Sequence, residues 1–314
     1  MRRLLPTLLL ALPAAACADG AQALAAHFVE DRVIVDAPLA GGGTLRFFTD
    51  SGGGATLLTQ AAAQRLDLAT KPPTEHADEL PPGARIFAGA LPLAPSALPT
   101  PPSPTIVVAF TVTKDTPVDS DGTLGNNWFA GHVWTWNYAA GTFALERADW
   151  APPAGTQVVP IGLRPASANR PALAFPRIDV TIAGEPASML LDTGGTTYLT
   201  PEAAQRLGGP RVRSTSMIVA SRVAAWRKAH PDWPVIEHAQ AGTGSRMIEV
   251  PDVRIAGLQV GPVWFTERAD ANYEWMSAMT DRPIVGSIGG NAFHTLVMTI
   301  DYPHGRAAFA RARP

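Results

Sequence analysis

Apolar positions along this chain alternate with polar ones over short runs and seldom keep a helical period. Residues 32–36 and 177–182 are β-branched runs, each followed by a glycine-bearing turn (Gly41 to Gly43; Gly184) and then by an apolar run that ends at an aspartate. Residues 45–48 lead to Asp50 and residues 189–191 to Asp192, a pattern that predicts hairpins. Residues 106–113 and 253–265 add strands, the latter interrupted by Gly257 and by Gly261-Pro262. Helical signals are sparse. Thr59 precedes an alanine-rich segment at 60–66 and Thr200 another at 201–207; threonine caps a helix N-terminus and Pro201 suits the first helical position, so one short helix per lobe is predicted. Residues 221–229 have helical composition and stop before Pro231, as an addition to the second half. Residues 72–104 are dense in proline, which excludes central strands and predicts a surface excursion.

The segment LRFFTDSGGGATLLTQAAAQRL at 45–66 and the segment SMLLDTGGTTYLTPEAAQRL at 188–207 are similar, with Asp50 aligned to Asp192 and Gln64-Arg65-Leu66 to Gln205-Arg206-Leu207 after one gap. A second pair follows in the same order. Residues 122–129, GTLGNNWF, match residues 286–293, GSIGGNAF, and the match runs ungapped through Asn137-Tyr138 and Asp301-Tyr302 to Gly141 and Gly305. Two blocks recurring in one order mean a duplicated lobe. The turn-rich 151–155 is the candidate linker, giving lobes at 19–152 and 153–314.

A carboxylate at the end of a buried apolar strand is costly unless it has partners or a task. Ser51 and Thr193 can hydrogen-bond across to backbone, and Gly52 and Gly194 let the main chain bend toward the acid. Lobes packed about a pseudo-twofold axis bring equivalent loops together, so that Asp50 and Asp192 become neighbours. Two acids in one site do not both ionise easily; one keeps a proton while the other is an anion.

These residues resemble the aspartic protease superfamily, retropepsin-like and pepsin-like, in particular two-lobed bacterial members. The likeness rests on Asp50-Ser51-Gly52 and Asp192-Thr193-Gly194, each with a downstream counterpart in Thr123-Leu124-Gly125 and Ser287-Ile288-Gly289, and it runs from about Val29 to Phe309. It implies an all-β, two-lobed acid-protease fold of duplicated barrel-like lobes in which Leu124, Gly125, Ile288 and Gly289 lie in segments that cross behind the catalytic loops. It implies peptide-bond hydrolysis without a covalent intermediate, by a water held between Asp50 and Asp192. The residue after each motif is glycine (Gly53, Gly195), where many members carry Ser, Thr or Ala. Such proteins cover the cleft with a glycine-tipped hairpin, for which Gly242, Thr243 and Gly244 are the second-lobe candidate; the first lobe offers Gly83 or Gly89 amid prolines.

Composition removes competing classes. At 46% hydrophobic and 17% charged, the 314 residues can bury a large core. A net charge of -2 supplies no basic field for nucleic acid. Cys17 is the sole cysteine, and the seven histidines show no metal-ligand spacing, so no metal or other cofactor is expected. Asp50-Ser51-Gly52-Gly53 mimics a chymotrypsin-like nucleophile, but His27 is the sole histidine before it. Arg2 and Arg3 followed by the apolar 4–16 read as an export signal over residues 1–18, too short to span a membrane. Two endings stay open: a lipobox that places a lipid anchor on Cys17, as in an outer-membrane lipoprotein, or plain cleavage that releases a periplasmic protein. Peptide or protein is the expected substrate, and a monomer suffices because one chain carries both aspartates. The alternative is an exported, non-catalytic protein that binds extended peptide in the same cleft.

Overall fold

The structure, a computed structural model, describes residues 20–73, 83–95, 97–99, 105–108 (backbone alone), 120–167 and 172–312. The leader with Cys17, residues 109–113 of the expected strand and much of the proline-rich segment lie outside the described residues.

The expected all-β, two-lobed architecture is the one observed, as three large sheets. The first-lobe sheet has the order Ala26–Val29, Arg32–Pro38, Thr44–Thr49, Gly122–Leu124, Leu57–Leu58, Thr105–Val108, Arg85–Ala88. In the second lobe Leu173–Ile182, Glu185–Leu191, Gly286–Ile288, Ser216–Val219, Val263–Arg268 and Met247–Val250 follow one another in the same way. From Arg32–Pro38 and from Leu173–Ile182 onward, successive pairings are antiparallel, parallel, antiparallel, parallel and antiparallel in both. Within the proline-rich segment, Arg85–Ala88 is a proline-free quartet at the sheet edge, where missing donors are tolerated.

The third sheet joins the lobes and takes three strands from each: Gln22–Leu24, Thr142–Leu145, Val133–Asn137, Leu296–Asp301, Arg306–Arg311, Gln157–Pro160. Its central pairing, Val133–Asn137 against Leu296–Asp301, sets Thr135 opposite Thr299, 164 residues later, with hydroxyls 2.8 Å apart. These two threonines are equivalent in the sequence repeat, so a pseudo-twofold axis passes between them. On the lobe-facing side Trp134 meets Ile300 and Trp136 meets Met298, large against small across the axis. Trp128, Phe129, Trp134, Trp136 and Phe143 are buried in one aromatic cluster with centroids 4.2–6.5 Å apart. Each such ring contributes about 2–3 kcal/mol on burial.

Among the described residues five α-helices decorate the sheets: α1 (Gln60–Arg65), α2 (Asn126–Phe129), α3 (Pro201–Leu207), α4 (Ala220–Ala229) and α5 (Asp270–Ser277). The second lobe thus carries three helices, where the sequence predicted one plus the addition at 221–229. Thr59 and Thr200 cap α1 and α3 as expected, accepting from the Ala62 and Ala203 amides at 3.1 and 3.3 Å. The two helices are nevertheless not equivalent in topology. α1 follows the strand that pairs with Gly122–Leu124, whereas α3 precedes the strand that pairs with Gly286–Ile288. It is α4 that takes the place of α1, and residues 196–214, including α3, are the excursion. Helix-start chemistry is local, so a matching cap and alanine-rich turn do not record a place in the sheet.

Candidate active site

Each aspartate is placed by two strands running side by side. Thr44–Thr49 is parallel to Gly122–Leu124, and the Asp50 amide donates to the Leu124 carbonyl at 2.9 Å. Glu185–Leu191 is parallel to Gly286–Ile288, and the Asp192 amide donates to the Ile288 carbonyl at 3.0 Å. Leu124 and Ile288 are fully buried core residues. Gly125 and Gly289 allow a main chain to cross directly behind: a Cβ on either would overlap the carbonyl of Ala55 or of Thr215, the equivalent point in the other lobe.

Ser51 and Thr193 bind the lobes reciprocally. The Ser51 amide donates to Thr193 Oγ1 and the Thr193 amide to Ser51 Oγ, both at 3.0 Å. The Ser51 hydroxyl donates to the Leu191 carbonyl at 2.7 Å, and the Thr193 hydroxyl to the Thr49 carbonyl at 3.4 Å. Both residues are completely buried, and hydrogen bonds of this kind contribute about 1 kcal/mol each. Gly52 and Gly194 are placed crosswise: a Cβ on Gly52 would lie 2.7 Å from the Asp192 carboxyl carbon, and one on Gly194 would overlap the Asp50 carboxyl. Neither position has room for a side chain. The axis between Thr135 and Thr299 therefore also relates the two carboxylate loops.

The carboxyls of Asp50 and Asp192 are neighbours, each lying against the glycine of the opposite loop and each acting on the other's acidity. Burial, then the charge and the hydrogen bond of Asp192, hold Asp50 well above the usual carboxylate range against the Gly53 and Gly52 amides. Burial also raises Asp192, but the Ser287 hydroxyl, the Gly194 amide, the Asp50 bond and the Gly195 amide oppose it. The pair titrates as a unit in which Asp50, the more strongly raised, favours the shared proton. Sequence reasoning left that assignment open and missed Ser287 as a partner of Asp192, although its place beside Ile288 in the repeat could have pointed to it. It also missed Tyr273, whose hydroxyl donates to Ser287 Oγ at 3.0 Å, and Arg268, a cation that burial depresses in the field of Asp192 and Tyr273. Tyr138 and Tyr302, equivalent in the repeat, are buried behind the loops; burial raises both hydroxyls, with Asp31 and Asp192 adding at Tyr138 and Asp50 at Tyr302.

Gly242, Thr243 and Gly244 form an exposed turn with both glycines at positive φ. The turn is fastened beside the strand preceding α3: the Ala241 amide donates to the Tyr198 carbonyl and the Gly244 amide to the Gln240 carbonyl. A groove of about 850 Å³ lies elsewhere, on the opposite face of the joining sheet among Thr135, Thr142, Thr299 and Ala308, away from both aspartates. Among the described residues no group of three or more His, Cys, Asp or Glu side chains is placed to hold a metal, and no helix is long and apolar enough to cross a membrane.

No protein-family model and no curated protein matches the chain. Solved structures do. An aspartic proteinase from Irpex lacteus is similar over 93% of this chain and 98% of its own, at 12% identity and a TM-score of 0.49. Basic 7S globulin from soybean is similar over 93% and 95%, at 11% identity and the same TM-score.

Proposed function

We propose that this chain is an aspartic endopeptidase whose dyad is Asp50 and Asp192. The observation that carries the reading is the pair of adjacent carboxyls, each against the glycine of the opposite loop, presented by duplicated loops that Ser51 and Thr193 lock across the axis. A water between the carboxyls would lose its proton to ionised Asp192 and attack the scissile carbonyl carbon. Protonated Asp50 would donate to the carbonyl oxygen, giving a tetrahedral diol in which no bond to protein forms. Collapse would return the Asp50 proton, while the proton held by Asp192 passes to the departing amine; the bonds broken are C–N and one O–H of the water, and the bonds formed are C–O and N–H. The same proposal places the enzyme outside the cytoplasm, carried by the leader at residues 1–18, and working as a monomer.

The test is cleavage of a diverse peptide library between about pH 3 and pH 8 by the chain and by its Asp50→Asn and Asp192→Asn forms. Cleavage that falls by about 10²–10⁴-fold in each variant is expected. Absence of cleavage by any form, with peptide still bound, would hand the cleft to the non-catalytic alternative. Cleavage undiminished in both variants would place the chemistry elsewhere.

A further inference from the structure

Helix α5 stands between two strands of the second-lobe sheet, Val263–Arg268 and Gly286–Ile288, and is fastened to the approach of the second. The Ser277 hydroxyl donates to the Tyr273 carbonyl at 2.5 Å and accepts the Ile284 amide at 3.0 Å, and the Thr280 hydroxyl closes on the Arg282 carbonyl at 2.8 Å. Tyr273 is the one buried residue of α5, packed with Phe175, Leu190, Val219 and Ile284. A phenylalanine would serve that packing equally. The hydroxyl instead donates to Ser287 Oγ at 3.0 Å, and Ser287, with no exposed surface, pairs with Leu190 on the parallel strand that leads to Asp192, on the same face as that carboxyl, whose raising its hydroxyl opposes.

We propose that Tyr273 and Ser287 are positioning residues for Asp192, a relay of two hydroxyls that starts on α5 and orients its carboxylate. The proposal rests on the dyad reading for its catalytic meaning but not for its test. Each donor in the relay favours the charged acceptor, so removing one lets Asp192 hold a proton to higher pH. The other groups facing Asp192 are Asp50 across the axis, Arg268 at the end of its strand and Tyr138 from the first lobe. None of them is altered by the variants below.

The experiment is a titration of carboxyl-labelled aspartates by NMR, with the dyad's more acidic step identified by its loss in Asp192→Asn. In Ser287→Ala that step should move up by about half to one pH unit, and in Tyr273→Phe by less in the same direction. Ser287→Thr, which introduces the residue found at the matching position 123, should restore it. An unmoved step in folded Ser287→Ala and Tyr273→Phe proteins overturns the relay. Because the readout is titration, a chain that cleaves no peptide still tests the relay, while cleavage with an unmoved step keeps the enzyme and removes the relay. In an active chain the acid limb of kcat/KM moves with the titration while KM holds.

Discussion

In the first lobe the chain runs from Gly53 almost directly into the sheet strand Leu57–Leu58. In the second it leaves Gly195 on the excursion at 196–214 before Ser216–Val219 takes the corresponding place, and α5 is added further on. The two carboxylate loops are nonetheless built alike, with the same parallel neighbour, the same amide bond onto it and the same glycine pressed against the opposite aspartate. The comparison teaches that dyad geometry is set by a few close backbone approaches, while the segments between them are free to lengthen. What the second lobe adds is environment: the Ser287 hydroxyl opposes the raising of its aspartate, and Tyr273 in turn donates to Ser287.

The sharpest way to break the likeness is at the crosswise glycines. Gly194→Ala drives a methyl into the Asp50 carboxyl and should lower kcat/KM by about 100-fold, since misplacing a reacting group by an ångström has effects of that order. Gly52→Ala, with slightly more room against Asp192, should lose less; equal and small losses measured on a cleaved peptide would show that the loops yield.

The closing hairpins give a second contrast, in stability. Asn137 accepts the Ala140 amide at 3.1 Å, and its counterpart Asp301 accepts the His304 amide at 3.2 Å, so both brace their turns. Asp301 is also fully buried against the His304 ring at 2.8 Å and Arg306 at 2.7 Å. Asp301→Ala should therefore cost about 2–3 kcal/mol and Asn137→Ala about 1 kcal/mol in urea unfolding. Equal costs would mean that the added charge pair contributes nothing.

The smallest expected effect concerns the dyad itself. Asp50 is raised in the folded state, so its contribution to stability is fully present below the unfolded value of 3.8 and is lost as pH rises toward its folded value. Asp50→Asn removes that loss. The variant should melt at the wild-type temperature near pH 3 and above it at neutral pH, and a difference that is constant across the range would contradict the assignment.

Much of this was legible in sequence because the relevant rules are local. The duplicated blocks pointed to Asp50 and Asp192, Thr59 and Thr200 announced helix starts, and alternation put Trp134 and Trp136 on one buried face. Features that depend on distant pairing were not legible. α5 is mostly exposed with a single buried residue and so carries no apolar stripe to read. The bond from Tyr273 to Ser287 is invisible until the strand containing Ser287 is known to lie beside Asp192. The likeness of α1 to α3 misled for the same reason, since caps and alanines specify a helix but not its neighbours.

The central ladder of the joining sheet has a consequence for how the molecule comes together. Thr135 cannot meet Thr299 until a span of 164 residues has been closed, so the pairing at the middle of the molecule is far from local. Each lobe can gather its own sheet earlier, which leaves Val133–Asn137 as an open edge ready to pair with any exposed strand. Docking the lobes through this ladder is therefore a step open to misassembly between chains, and it is also the step that brings the two carboxyls together.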